Sequence, residues 1–310
     1  MEEKPTRRAT LRDAVYGLAV GDALGVPYEF RSRGTFECAG MVGGGTHGKP
    51  AGTWSDDTSM TLATCDSIRV CAGRIDPADM LRRFRLWAER GAYTVDGLFD
   101  IGTTTSRAIA RGKGCSGERD CGNGSLMRIA PLAFTSAGRD EVAAASAVTH
   151  AHPTCEQVCW DFVCVARQLI GGVSPLDVPE VRERAGRPVR DVRSGGFVRD
   201  TYDAALWCLA NTASYAECAL AAVNLGDDTD TTAAVAGALA GIAYGEASIP
   251  AEWLSALRGR ELIDGALFRP ADIDLDPAEE ARRRALGQNM GMGAFDERPW
   301  IAKLARQEEE

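Results

Sequence analysis

Ser55, Asp56, Asp57 and Thr58 are consecutive, and so are Asp227, Asp228, Thr229, Asp230 and Thr231. Both runs precede apolar segments with helical spacing. A Ser or Asp before a helix is the expected N-cap, and acids in a first turn suit the helix dipole. Capping accounts for one acid in each run. A second adjacent carboxylate adds like-charge repulsion unless something positive stands beside it. Asp228 shares a stripe with Thr231 or Thr232, Val235, Leu239 and Ile242 that is apolar after its first turn. This directs Asp228 toward the interior or toward the edge of a cavity, where an unpaired charge is very costly. Residues 200–257 contain no Lys or Arg, so a cation is the natural compensation. Carboxylates and hydroxyls are hard oxygen donors that suit Mg²⁺, Mn²⁺ or Ca²⁺. Four or more acids have room for two such ions, about 3.5–4 Å apart when bridged. The alternative is a set of caps and ordinary polar contacts.

The elements that must position these runs are helical. Leu11, Val15 and Leu18 share a face, as do Leu62, Cys65 and Ile68. Segments 143–148, 155–170, 201–209 and 235–244 carry the same period, and alternating strand patterns are scarce. Abundant alanine favours helices and close helix contacts. The expectation is an all-α chain of ten or more helices with long functional loops. A single domain is expected over residues 1–310, with its core at about 9–270. Gly-rich loops occupy residues 31–54 and 112–125, and a Gly-, Pro- and Arg-rich loop occupies 171–196. From about Pro277 the chain predicts one polar helix and then a loose tail over about 290–310.

Further candidates lie around the acid runs. Asp22 extends the Leu11 stripe and reads either as an acceptor for backbone amides or as an aid to the loop holding Glu29. In Gly122-Asn123-Gly124 the backbone can approach a ligand and present amides, or simply turn before a helix. His150 and His152 are either surface residues, zinc ligands or proton-transfer groups. Phe197 follows two glycines and is either a core aromatic or a flat face for a base. Cys155 and Cys159 fall on an apolar helical stripe and read as small buried hydrophobes, whereas Cys115 and Cys121 are expected to be more exposed.

Composition excludes other classes. With 44 acidic and 35 basic residues the net charge is −9, which disfavours a broad nucleic-acid platform. The N-terminus lacks the apolar core of a secretory signal, and no uninterrupted apolar stretch reaches membrane-spanning length. A cytoplasmic, monomeric protein is expected.

The segments GLAVGDALGVPYEF, GTWSDDTSM, GNGSLMRIAPLAF, THAHP, FVRDTYDAALWCL and NLGDDTDTTAAVAGALAGIAYG occur in this order over residues 17–245. As an ordered set they resemble the ADP-ribosylglycohydrolase family, in particular its bacterial dinitrogenase reductase-activating branch. The resemblance implies a compact orthogonal all-α domain with a dinuclear Mg²⁺ or Mn²⁺ cleft. It implies that Ser55, Asp56 and Asp57 form one ligand triplet and Asp228, Asp230 and Thr231 the other. Glu29 matches an acid that lies over the metals and helps catalysis. Asn123, Gly124 and Ser125 match the loop that holds ADP-ribose. His150 matches a substrate-contacting histidine, and Phe197 an aromatic beside the adenine. The implied reaction releases ADP-ribose from an ADP-ribosylated protein, with arginine as the first expectation for the acceptor. Glu29 and Asp228 would manage protons while the two cations grip the ribose diol. Alternatives are serine-, nucleobase- or small-molecule-linked ADP-ribose, or a non-catalytic or immunity role, since fold alone does not guarantee activity. One departure stands out: the family usually reads GGDTDT, and here Asp227 replaces the second Gly. The extra acid would either sit beside the metals or face solvent.

Overall fold

The computed structural model describes residues 8–269. Among them run twelve α-helices: α1 (Leu11–Gly25), α2 (Asp56–Val70), α3 (Pro77–Arg90), α4 (Thr103–Arg111), α5 (Arg139–Ala147), α6 (Pro153–Ile170), α7 (Pro179–Arg182), α8 (Val198–Ala210), α9 (Tyr215–Asn224), α10 (Thr229–Tyr244), α11 (Ala251–Ala256) and α12 (Arg260–Ala266). The described residues form only isolated β-bridges and no sheet, so the class is all-α as the periodicity predicts. The polar helix and tail expected from Pro277 onward lie outside the described residues. None of the described helices is long and apolar enough to cross a membrane.

One cluster of buried apolar side chains links Leu11 to Phe268. At its centre α1 crosses α10, the most extensive helix pair of the fold. The reason is steric. Gly17, Gly21 and Gly25 recur every four residues and therefore share one face of α1. A methyl group at Gly21 would stand 2.1 Å from the carbonyl oxygen of Ala233, and one at Gly25 would stand 2.4 Å from Cα of Asp230. On the facing helix a methyl at Gly237 would lie 2.3 Å from the Gly17 carbonyl oxygen. Backbone therefore meets backbone, and the register is set without large side chains between the helices. The hydroxyl of Thr229 donates to the Gly25 carbonyl at 2.8 Å, which ties the start of α10 to the end of α1. The second acid run is thereby brought against the segment that carries Asp22 and Glu29.

The first run is placed by Asp22. Its buried carboxylate accepts from the amides of Ser55 (2.9 Å) and Thr58 (3.0 Å) and from the Thr58 hydroxyl (2.6 Å). Asp22 is thus an acceptor for backbone amides, and it anchors the N-terminus of α2. Just upstream, buried Trp54 donates its Nε1–H to the Tyr93 carbonyl at 3.1 Å. Cys155 and Cys159 are buried in α6 as expected, and Cys115, in the loop after α4, is buried too. The exposure expected for Cys115 does not hold, because its N–H and C=O pair with Thr149 and Ala151 and draw the loop inward.

Candidate metal centre and cleft

The two acid runs, distant in sequence, converge. Carboxylate oxygens of Asp22, Asp57 and Asp230 lie within 4.8 Å of one another, and so do oxygens of Glu29, Asp228 and Asp230. Asp230 belongs to both groups. Asp57 Oδ2 accepts from the hydroxyls of Ser55 (3.0 Å) and Thr231 (3.3 Å). Asp57 Oδ1 and Asp230 Oδ2 are buried without a hydrogen-bond partner. Above them opens a cleft of about 380 Å³ whose lining includes Glu29, Asp56, Asp100, Asn123, His150 and Asp228 and, among the described residues, neither Lys nor Arg.

The electrostatics follow from burial and crowding. Burial pushes the Glu29 carboxyl up to about 9, and the charges of Asp100, Asp228 and Asp22 add to the shift. Burial raises Asp22 to about 6 against the hydrogen bonds from Thr58 and Ser55. Asp100 also rises to about 6, from burial and then from the charges of Asp228 and Asp22. Asp56, Asp57 and Asp230 are held well above the usual carboxylate range by burial and by their acidic neighbours. The nearby imidazoles do not balance this charge. Burial lowers His47, with Lys49 adding to the effect, and takes His150 down to about 3. The two groups that hold Asp230 offer only carboxylate oxygens, two buried oxygens there are orphaned, and no described Lys or Arg lines the cleft, which together fit a hard divalent cation.

Local structure refines the sequence reading. The N-cap of α2 is Ser55, and Asp56 and Asp57 both sit in the first turn. Asp228 occupies the N-cap position of α10 but makes no capping bond. Instead its Oδ2 accepts from Asn123 Nδ2 at 2.8 Å. The second run thus lacks the N-cap bond expected of it, and the first-turn amide of Thr231 is instead taken by Asp230 Oδ1 at 2.9 Å. Asp228 lines the cleft, whereas Asp230, 1% exposed, is the deeply buried acid.

The candidate substrate residues divide. Asn123 and Gly124 line the cleft, and Asn123 Nδ2 also donates to Thr201 Oγ1 at 2.9 Å. His150 packs under this loop, where a methyl at Gly124 would stand 2.7 Å from its Cε1. Ser125 is turned the other way: its hydroxyl is buried, accepts from Ser146 Oγ at 2.9 Å and contacts Cys159 Sγ. The residue as a whole is buried and is not among those that line the cleft. Phe197 is 43% exposed, which removes the core-aromatic alternative. It pairs with Gly122 across a backbone bridge at the edge of the cleft. His152 caps α6 by accepting the Thr154 amide at 3.1 Å. Sequence reasoning missed Asp100 and His47. Both come from loops with no period to reveal their direction, and only tertiary contact brings them to Glu29.

Asp227 faces solvent. Its φ of 61° lies in the left-handed region, where glycine is at ease and Asp is tolerated. Its N–H donates to the Arg31 carbonyl at 2.8 Å, and its carbonyl accepts from Phe30 N–H at 2.7 Å. Asp227→Gly should relieve the backbone and leave the site untouched. The expected result is cation affinity within about twofold of wild type and a stability change of at most ~1 kcal/mol, read by calorimetry and thermal melting.

Fold and site together define an all-α protein with an acidic, cation-suited cleft. The chain belongs to the ADP-ribosylglycohydrolase family, whose model matches residues 3–283. It is 36% identical over 270 residues to ADP-ribosylarginine hydrolase Tri1 of Pseudomonas putida (strain GB-1), covering 78% of this chain and 72% of that relative. It is 34% identical over 270 residues to the ADP-ribosyl-[dinitrogen reductase] glycohydrolase of Rhodospirillum rubrum, covering 79% and 88%. A solved structure described as an ADP-ribosylglycohydrolase-related protein complex superposes with a TM-score of 0.70 at 32% identity, covering 82% of this chain and 94% of its own.

Proposed function

We propose that this chain hydrolyses the glycosidic bond between ADP-ribose and an arginine side chain of a protein, releasing free ADP-ribose. The names of its relatives support the reaction class. The observation that carries the reading is the ring of carboxylates around a cleft lined, among the described residues, by neither Lys nor Arg. Such a site attracts a cationic guanidinium, and it stabilises the positive charge that develops at C1″ as the bond breaks. Two Mg²⁺ or Mn²⁺ ions held by Ser55, Asp56, Asp57, Asp228, Asp230 and Thr231 would neutralise the carboxylates and supply Lewis acidity.

The chain's own groups have separate tasks in this reading. Glu29, kept protonated by burial and like charges, gives its proton to the leaving guanidine nitrogen. Asp228, oriented by Asn123, accepts a proton from the water that adds to C1″. The amides of Gly122 and Gly124 receive the pyrophosphate, while the Asn123 N–H is engaged by the Gly196 carbonyl at 3.1 Å. Half-exposed Phe197 offers its ring to the adenine. All of these groups come from one copy of the chain, so a monomer suffices.

The direct test is release of ADP-ribose from an ADP-ribosylarginine protein, with serine- and nucleobase-linked substrates in parallel. Release from the arginine substrate is expected with Mn²⁺ or Mg²⁺ and is lost with a chelator. Absence of release with either metal from all three substrates sinks the hydrolase reading, and release only from another linkage corrects the acceptor.

A further inference from the structure

The Gly-rich loop over residues 31–54 folds back on the turn that carries Glu29. Gly45, at φ 66°, approaches Pro27 so closely that an added methyl would stand 1.8 Å from the Pro27 carbonyl oxygen. Thr46 donates its N–H to the Pro27 carbonyl at 3.3 Å and its hydroxyl to the Glu29 carbonyl at 2.6 Å. The next residue, His47, brings Nε2 into hydrogen-bond contact with Glu29 Oε2. Its ring sits between Phe30, edge-on with centroids 6.2 Å apart, and Phe99, tilted at 5.2 Å. Phe30 itself has a φ of 64°. A bulky residue keeps that conformation only where its surroundings impose it. The turn is therefore held in place from several sides.

We propose that His47 is a positioning residue for Glu29: its Nε2–H donates to Oε2 and aims the carboxyl across the cleft. This rests on the reading of Glu29 as a proton-handling group. A Glu side chain rotates broadly about its last torsion, so an unheld carboxyl spends little time in a productive orientation. Among the described residues the His47 contact is the one side-chain hydrogen bond to the Glu29 carboxylate. Asp22, Asp100 and Asp228, which also act on Glu29, do so by disfavouring its ionised form and do not orient its carboxyl. Phe30 and Phe99 limit how far the imidazole can swing, and Thr46 fixes the backbone one residue away. The donor is thus supplied by a rigid loop, as preorganisation requires.

The test compares the full-length wild type with His47→Ala, His47→Gln and Glu29→Gln. For His47→Ala, kcat on an ADP-ribosylarginine protein should fall by about 10–100-fold, the usual loss when a supporting hydrogen-bond partner is removed, with KM little changed. His47→Gln returns an N–H donor and should recover much of that loss, as should added imidazole with His47→Ala. A merely structural role would give neither rescue. A second readout needs no turnover. The chain has three histidines, so ¹⁵N spectra of the cation-free protein can be assigned by single substitutions. One ring, lost in His47→Ala, should be protonated at Nε2, and its resonance should move in Glu29→Gln. An unchanged kcat in His47→Ala, or a His47 resonance indifferent to Glu29→Gln, overturns the proposal. A wild type inactive on every ADP-ribosyl substrate sinks the hydrolase reading instead, and the spectra then decide the His47–Glu29 contact by themselves.

Discussion

Asp57→Asn and Asp230→Asn are each expected to melt at a higher temperature than the wild type under chelation, and neither should gain from Mn²⁺ or Mg²⁺. The sign is opposite to that of an ordinary core polar substitution. Asp57 and Asp230 are fully or almost fully buried, and each has an oxygen with no donor to satisfy it. One carboxylate oxygen from each of Asp22, Asp57 and Asp230 lies within 4.8 Å of the other two. An amide in place of one of them removes a like charge and lets its NH₂ donate to a neighbouring carboxylate, for a net gain of ~1 kcal/mol or more. The wild type, in contrast, should be stabilised by saturating cation by ~2.7 kcal/mol at a hundredfold excess over Kd. At roughly 2–4 °C per kcal/mol for a chain of this size, that is a rise of several degrees. ADP-ribose release by either variant should fall by on the order of a thousandfold, as when a preorganised electrostatic group is lost.

A pH series gives the same result a second signature. Asp22 and Asp100 titrate near about 6 and Glu29 near about 9, all above the ordinary range of ~4. For these groups the fold favours the protonated form. Their contribution to stability is therefore complete below ~4 and is lost as pH rises through 6 and then 9. The chelated wild type should melt higher at pH 5 than at pH 8, and saturating cation should reverse or flatten that slope. A variant that still binds two ions by calorimetry would show that the substituted carboxylate is not a ligand, and a chelated wild type whose melting temperature does not change between pH 5 and 8 would show that burial does not hold Asp22, Asp100 and Glu29 protonated.

How much of this was legible in the sequence differs from residue to residue. Helix positions were, because 3.6-residue periodicity is local. The acid runs were, because each is contiguous and the absence of Lys and Arg over residues 200–257 can be read directly. The division of labour between Asp228 and Asp230 was not. Stripe arguments need a polar face for contrast, and every residue of α10 from Thr229 to Ile242 is buried. The direction of the Ser125 side chain was not legible for a related reason: in a tight loop, adjacent side chains leave in directions that no period specifies. Asp100 and His47 reach Glu29 from two separate loops, and single-sequence reading carries no signal for such long-range contact. Asp227 depended on a backbone sign. Its positive φ turns the carboxylate outward, although its neighbours in sequence suggested a role in the cluster.

The feature that joins the two acid runs is the bare crossing of α1 and α10, and it makes a second large-effect prediction. Alanine normally stabilises a helix by about 1 kcal/mol over glycine. Gly21→Ala and Gly25→Ala should do the reverse, each costing ~3 kcal/mol or more, because the new methyl has only main chain to displace. At Gly21 that main chain is the carbonyl oxygen of Ala233 at 2.1 Å, and at Gly25 it is the Asp230 Cα at 2.4 Å and N at 2.5 Å. The two variants should then differ in function. Gly21→Ala opens the crossing one turn away from the site, so its main effect is a lower melting temperature. Gly25→Ala pushes on the residue that belongs to both carboxylate groups, so the folded fraction should also lose cation affinity by about tenfold or more. Thermal melts and calorimetry on the pair separate these effects. A wild-type melting temperature in either variant would show that the helices do not meet backbone to backbone. Equal cation affinity in the two would show that the α1–α10 register does not set the position of Asp230.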